Sequence, residues 1–241
     1  MAEPWEYIHT KRVLNKYGLP AGAFDPEAPG EQTYDIYWMH IRTKRGTPSR
    51  SHEPEATLRI SARNEGEDRH LAITCSDLKF DNTTEINAQC ENNALTSPKT
   101  WTLKYSNGSQ AGKGLVEYTQ KGEIRNSRLL MDNKEPVRSK TLGPYTADWC
   151  LFDAVQRLSA RKDTAKHTFD LIEEFSMIRE NQFLIYRGTS EITTDQSAVI
   201  ADVYCHYGES VIPTCYYVDA NGRLFLVVST RRTVILKREA S

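Results

Sequence analysis

SAVIADVYCHYG (197–208), TCYYVDANGRLFLVVST (214–230) and TVILKRE (233–239), three segments near the end of the chain, have the composition of consecutive β-strands. They are rich in β-branched and aromatic residues, which favour strands. Within the second segment, Asp219-Ala220-Asn221-Gly222 predicts a hairpin turn, because Asn and Gly readily adopt the positive φ angles of tight turns. The chain is therefore predicted to end in an antiparallel meander.

The strand at 224–228 is apolar on both of its faces. Strict alternation places Leu224, Leu226 and Val228 on one face, and it places Phe225 and Val227 on the other. A half-solvated strand would alternate apolar with polar residues. We therefore expect this strand to be covered on two sides, by a helix on one and by a curled or second sheet on the other.

Alternation with a period of two predicts further strands upstream. The segments that show it are 34–40, 58–62, 71–75, 101–105, 116–118, 123–125 and 128–131. Residues 168–187 are interpreted as a hairpin that turns at Glu180-Asn181. Seven or more short strands with frequent turns are typical of a barrel, a half-barrel or a sandwich.

One helix is predicted at about 147–160. In TADWCLFDAVQRL (146–158), Leu151, Ala154, Val155 and Leu158 form an apolar stripe at helical spacing. The predicted fold is therefore mainly β, a curled antiparallel sheet (half-barrel or barrel) with one central amphipathic helix packed on it. Residues 1–33 are expected to form an irregular N-terminal wrap, with a short helix or turn around Ile8 to Leu14, and residues 34–241 a single β domain.

Charge and hydropathy limit the classes of partner that the chain is expected to bind. The chain has 31 Lys and Arg against 32 Asp and Glu, so no overall positive field exists to hold a nucleic acid. The basic pair Arg231-Arg232 at a strand end is interpreted as a solvated edge. No run of 18 apolar residues occurs, so the chain is predicted not to span a membrane. No motif indicates a cofactor, and the oligomeric state is left open.

Five cysteines allow two readings. Cys75 with Cys90 and Cys205 with Cys215 fall on predicted neighbouring strands, where either pair can form a disulfide, and Cys150 is left over. Alternatively, all five are buried thiols in a reducing compartment. The N-terminus lacks the features of a secretion signal, although a Met-Ala start also remains when a signal is removed for expression.

A polar face on the strand at 198–208 is the candidate for catalysis. Asp202, Tyr204 and His206 alternate along this strand, opposite Val199, Ala201, Val203 and Cys205. Arg187 and Tyr186 on a preceding strand and Tyr217 on a following strand can join them. Polysaccharide lyases abstract a proton with a Tyr or His base and stabilise the developing anion with an Arg. The alternative is an ordinary solvated strand face.

Metal and ligand sites have less support. Cys205-His206 with Cys215 is the densest group of possible metal ligands, but adjacent strand residues point to opposite faces, so no metal site is predicted. The aromatic residues Trp38, Trp101, Trp149, Tyr186 and Tyr217 are the candidates for ligand binding, because they can stack on sugars or line a lipid pocket. The alternative for these residues is a place in the core.

A meander followed by the helix DWCLFDAVQRL (148–158) and then by IPTCYYVDANGRLFLVV (212–228) resembles exported bacterial proteins of unknown function. Those proteins have a curled half-barrel similar to the lipoprotein-carrier proteins of the periplasm. The resemblance covers residues 34–239 by pattern. It implies a concave apolar surface sealed by a helix and an extracytoplasmic location, and it transfers no functional residue.

Three functions follow from these observations. The first is a non-enzymatic, periplasmic or extracellular protein that binds a lipid-like or glycan ligand in a concave sheet. The second is a carbohydrate-active enzyme of the polysaccharide lyase type. The third is a structural or assembly module. A cytoplasmic location stays an alternative.

Overall fold

The structure, a computed structural model, describes residues 8–17, 22–40, 49–50, 53–108, 116–132, 141–195 and 197–237. Two helices occur in these ranges, α1 (Ile8–Tyr17) and α2 (Cys150–Ala160). The strands before α2 are β1 (Gly30–His40), β2 (Ser49–Arg50), β3 (Ala56–Glu65), β4 (Asp68–Asp77), β5 (Asn82–Glu91), β6 (Pro98–Asn107), β7 (Val116–Arg125), β8 (Arg128–Met131) and β9 (Tyr145–Ala147). The strands after α2 are β10 (His167–Glu173), β11 (Met177–Thr193), β12 (Ala198–Gly208), β13 (Thr214–Asp219), β14 (Leu224–Ser229) and β15 (Arg232–Leu236).

All the strands belong to one large sheet that is not closed. Fourteen strands follow the order β8-β7-β6-β5-β4-β3-β1-β15-β14-β13-β12-β11-β10-β9, and β2 pairs with β1 off this path. Neighbours are antiparallel, except that β9 runs parallel to β10. The prediction of a mainly β, antiparallel fold is confirmed, and the closed-barrel alternative is wrong. Strand β1 joins an N-terminal half, β3 to β8, to a C-terminal half, β9 to β15.

Two parts of the meander differ from the prediction. Strand β5 carries the polar sequence NTTEINAQCE and was not among the expected strands. The hairpin expected at Glu180-Asn181 turns instead at 174–176, where Glu174 and Phe175 have φ angles of 47° and 55°. Asn181 does adopt a positive φ of 58°, but within β11, where the register to β10 shifts. The positive φ that Asn favours is therefore used for a bulge rather than for a turn.

Strand β14 is buried on both faces, as predicted. Every residue from Leu224 to Val228 is at most 1% exposed. The division between the faces is different, because Tyr217 pairs with Leu226 and Val218 pairs with Leu224, which leaves Phe225 as an extra residue. This bulge reverses the alternation after Leu224. Leu224 and Val227 consequently share one face.

The sheet has two buried surfaces. The inner face carries the larger apolar cluster, which takes side chains from both halves of the sheet and from α2. The outer face carries a second cluster, formed by β1, the strands β11 to β15, and Val13 and Leu14 of α1. Each face of β14 thus contacts a cluster that includes a helix, whereas the sequence predicted a sheet on one side. In the N-terminal half, by contrast, the buried apolar side chains belong to the inner cluster.

Helix α2 is buried at ten of its eleven residues, Cys150 to Ser159. Its polar residues are held by strands from both halves of the sheet. Asp153 binds Arg69 of β4, Gln156 binds Gln32 of β1 and the backbone N–H of Leu224, and Ser159 donates to Asp202 of β12. The helix therefore contacts protein on its polar side as well as on the apolar stripe.

One disulfide joins Cys205 to Cys215, which lie directly opposite each other on β12 and β13. The predicted Cys75–Cys90 bridge is wrong. Cys90 lies opposite Arg69, six residues from Cys75 along β4, which is about 20 Å at the rise of a strand. Cys75, Cys90 and Cys150 are free. Burial and the neighbouring Cys90 thiol raise the pKa of Cys150.

Candidate functional site

Asp202, Tyr204 and His206 lie on the inner face of β12, and Ala201, Val203 and Cys205 belong to the outer cluster. All three inner side chains are tied to their surroundings by hydrogen bonds. Asp202 accepts hydrogen bonds from Ser159 at 2.7 Å and from the hydroxyl of Tyr186 at 3.1 Å. The Tyr204 hydroxyl donates to the carbonyl oxygen of Asp163 at 2.8 Å. Burial raises the pKa of Tyr204, so this hydroxyl stays protonated.

Arg187 is not brought into this group. It follows Tyr186 in β11, at the point where the register to β12 shifts between Tyr186 and Thr189. Its side chain is exposed. The predicted anion-holding group is thus exposed, whereas Tyr204 and His206 are buried.

His206 is 5% exposed, and its ring lies 5.6 Å from that of Phe169. Its Nε2 is 3.1 Å from Oε1 of Gln182. Because an amide oxygen can only accept, Nε2 carries the proton and donates in this hydrogen bond. Burial lowers the pKa of His206 from 6.5 to about 4. The imidazole is therefore neutral at pH 7.

This burial predicts a dependence of stability on pH. Between pH 4 and 6.5 the unfolded chain binds a proton at residue 206 that the folded chain does not, so protonation favours unfolding as the pH falls. We expect the free energy of unfolding of the native protein, relative to His206→Gln, to decrease by roughly 2 kcal/mol between pH 7 and pH 4.5. Urea unfolding at both pH values measures this difference. A difference that does not change with pH would contradict the buried, neutral imidazole.

A cavity of about 470 Å³ opens on the inner face and is called here the aromatic cavity. Its walls are apolar and aromatic side chains of β1 and of β4 to β7, together with Trp149 immediately before α2. Among them are Trp38, Ile73, Ile86, Leu103, Tyr105 and Tyr118. Its polar lining residues include Thr84, Gln120, Glu174, Ser176 and Arg232. The volume is within the usual range of small-molecule sites.

Arg232 is held against two of the aromatic walls. It lies directly opposite Trp38 in the β1–β15 pair, with its guanidinium carbon 5.9 Å from the ring centre of Trp38 and 5.3 Å from that of Trp149. Both distances are typical of cation–π contacts. No carboxylate of the residues that the structure describes forms an ion pair with this guanidinium. The interpretation of Arg232 as a solvated edge charge is therefore wrong.

Asp148 and Cys75 are among the ionisable groups whose pKa values Arg232 influences. Asp148 accepts a hydrogen bond from the backbone N–H of Trp149 at 2.9 Å. Burial raises the pKa of Asp148 to about 7, although Arg232 acts to lower it. Burial also raises the pKa of the Cys75 thiol in the cavity wall to about 11, so this thiol is protonated at pH 7.

The five aromatic residues predicted to bind a ligand have different positions. Trp38 and Trp149 line the aromatic cavity. Trp101 is 3% exposed, packs on Phe175 and occupies the space above Gly122, where a Cβ atom would collide with its ring. Tyr186 packs on Tyr204. Tyr217 is fully buried on the outer face, away from the cavity.

The described ranges lack two other kinds of feature. Neither α1 nor α2 has the length and hydrophobicity of a helix that crosses a membrane. In the same ranges, three or more His, Cys, Asp or Glu side chains are nowhere grouped so that they could hold a metal ion.

Comparisons with known proteins give a likeness of structure but none of sequence. No protein-family model matches the chain, and no curated protein matches it. The crystal structure of a DUF1089 family protein from Pseudomonas aeruginosa is similar over 70% of this chain and 87% of its own chain. The two share 11% sequence identity with a TM-score of 0.39. A likeness at this level does not place the chain in that family.

Proposed function

We propose that this protein is a non-enzymatic, extracytoplasmic binding protein that takes a small lipid-like ligand into the aromatic cavity. The observation that carries the proposal is the cavity itself, about 470 Å³ in volume and bounded mainly by apolar and aromatic side chains. Sites of this kind bind ligands through burial of apolar surface, and a few polar groups orient them. Glu174, Ser176 and Arg232 are suited to the second role.

The proposal includes a sheet curled around α2. The indole N–H of Trp101 in β6 donates to the carbonyl oxygen of Phe175, beside β11, at 3.1 Å. These two strands are nine steps apart in the sheet, roughly 43 Å if it were flat. Likewise, Thr146 of the edge strand β9 donates to the carbonyl oxygen of Leu95, beside β5, at 2.6 Å. Such contacts support a half-barrel whose concave side contains α2 and the cavity.

The Cys205–Cys215 disulfide supports an extracytoplasmic location, because disulfides persist mainly in oxidising compartments.

The contacts of the β12 residues favour binding over proton abstraction. A general base must reach its proton directly or through one water. The Tyr204 hydroxyl is engaged by a backbone carbonyl, and His206 faces Phe169 and Gln182. None of Asp202, Tyr204, His206 and Arg187 lines the aromatic cavity. A lyase would therefore need a different arrangement of these groups.

A neutral fluorescent probe tests the proposal. N-phenyl-1-naphthylamine emits strongly only in apolar surroundings, so its fluorescence should rise saturably, with one site per chain. Thr84→Trp fills the cavity and should weaken this binding at least tenfold. Thr83→Trp is the matched control on the opposite face of β5 and should leave it unchanged. Absence of saturable binding by the native protein would exclude this function and favour a structural or assembly module.

A glycan ligand is a second candidate because of a groove of about 430 Å³ on the outer side of β4 to β7. Its polar lining includes Asn87, Gln89, Thr100, Lys121 and Glu123, which offer both donors and acceptors. Calorimetric titration with neutral and acidic oligosaccharides tests this candidate. Binding that Asn87→Ala removes and Thr84→Trp leaves intact would assign the glycan to this groove.

A further inference from the structure

We infer that the aromatic cavity selects a single-chain amphiphile with a carboxylate head group, and that Arg232 binds this head group. The inference rests on the proposed function, since it names the class of ligand for the same cavity. Three features carry it: the position of the guanidinium, its lack of an anionic partner among the described residues, and the charge balance around it.

The guanidinium is fixed in position by its surroundings. Trp38 and Trp149 flank it at 5.9 and 5.3 Å. The Ser229 hydroxyl accepts a hydrogen bond from the backbone N–H of Arg232 at 3.1 Å and thereby holds the start of β15. Contacts with aromatic rings engage the plane of a guanidinium, whereas its N–H donors point outward in that plane. These donors can therefore still bind an anion.

Two other arginines, Arg69 of β4 and Arg157 of α2, are used differently. Arg69 donates to Asp153 at 2.6 Å and to the carbonyl oxygen of Pro26 at 2.7 Å. Arg157 donates to Glu27 at 3.1 Å and to the carbonyl oxygen of Asn93 at 3.0 Å. Both are fully buried, and their anionic partners come from the protein itself. Arg232 lines a cavity and lacks such a partner among the described residues, so its anionic partner is expected to be a ligand.

The charges around the cavity favour a monoanion. Glu174 lines the cavity, Asp148 lies within the electrostatic influence of both Arg232 and Glu174, and Asp77 acts on the nearby Cys75. A phosphate monoester carries close to two negative charges at pH 7 and would meet these acidic groups with one arginine to balance it. A carboxylate carries one charge and matches the guanidinium fork with two parallel hydrogen bonds. Its apolar chain would lie against Ile73, Ile86 and Leu103.

Competition against N-phenyl-1-naphthylamine tests the inference with three probes of equal chain length. These are dodecanoate, 1-dodecanol and dodecyltrimethylammonium, each at pH 7.5 and below the concentration at which it aggregates. We expect dodecanoate to bind about tenfold or more tightly than dodecanol, because a hydrogen bond to a charged group contributes that much. The cationic probe should bind most weakly.

Variants assign the selectivity to one side chain. Arg232→Gln should weaken dodecanoate binding about tenfold and leave dodecanol binding unchanged. Arg231→Gln is the matched control, because Arg231 is the exposed neighbour, and it should change neither affinity. Arg232→Lys keeps the charge without the planar fork and should retain part of the preference. Circular dichroism establishes that each variant is folded.

Equal affinities of the native protein for dodecanoate and dodecanol would overturn the inference, whether or not Arg232→Gln folds. A uniform loss for all three probes in Arg232→Gln would also overturn it, since Arg232 would then act only as part of the cavity wall. Both results leave the proposed function standing as long as the neutral fluorophore binds. Failure of the fluorophore to bind would instead reject the proposed function.

Discussion

Asp153→Ala is expected to lower the free energy of unfolding by about 3 to 5 kcal/mol, the cost of leaving a buried charge without its partner. Asp153 lies in the first turn of α2 and is 3% exposed. It receives hydrogen bonds from Arg69 at 2.6 Å and from the Thr96 hydroxyl at 2.8 Å. The variant would leave the guanidinium of Arg69, which is 1% exposed, without a carboxylate. Urea unfolding at pH 7 measures the loss.

Two controls separate the buried pair from a general effect of charge removal. Glu65→Ala removes a carboxylate that is 63% exposed and pairs with Arg63 at 3.5 Å, so it should change stability by less than about 0.5 kcal/mol. The double variant Arg69→Met with Asp153→Leu removes both charges and should recover much of the loss, since apolar replacements for a buried ion pair are often neutral. A loss below about 1 kcal/mol for Asp153→Ala alone would contradict the role given to this pair.

The pair matters for the cavity because it fixes α2 against the sheet. Arg69 also donates to the carbonyl oxygen of Pro26, and Arg157, one turn after Asp153, binds Glu27 and the carbonyl oxygen of Asn93. These bonds connect α2 to the segment before β1 and to the β5–β6 turn. Trp149 immediately precedes α2 and forms part of the cavity wall. A displaced α2 would therefore change the cavity.

The alternation of residues in β4 already indicates that Arg69 is buried. Arg69 lies two residues before Leu71 and four before Ile73, both of which are buried. Its side chain therefore points to the same interior face of β4. A charge at such a position predicts a buried partner. The identity of that partner could not be predicted, because Asp153 is 84 residues away in sequence and only the curvature of the sheet brings it near.

The position of Arg232 and the bulge in β14 are two features that the sequence could not predict. Trp38 and Trp149 could be named as ligand-binding candidates because large aromatic residues are recognisable in any sequence. Arg232 could not, because a basic pair at a strand end has the same appearance whether it is solvated or packed between two indole rings. The bulge at Phe225 depends on how β13 and β14 pair, and alternation within one strand does not report that register.

Leu226→Ala is expected to lower the free energy of unfolding by about 2 to 5 kcal/mol, the range for truncating a buried leucine. Leu226 is 0% exposed and lies opposite Tyr217 on one side and Ile235 on the other. It belongs to the outer cluster with Val13 and Leu14 of α1. Simple alternation would place Leu226 on the same face as Leu224. Because of the bulge, Leu226 lies instead on the outer face, which α1 covers.

Leu78→Ala is the matched control, because Leu78 is 56% exposed and should cost less than about 0.5 kcal/mol. Leu14→Ala, in α1, should destabilise as Leu226→Ala does, since both side chains are fully buried in one cluster. The two losses should combine non-additively if the side chains share the same packing. A loss for Leu226→Ala no larger than that for Leu78→Ala would mean that the outer face of β14 is open to solvent, and that α1 does not cover it.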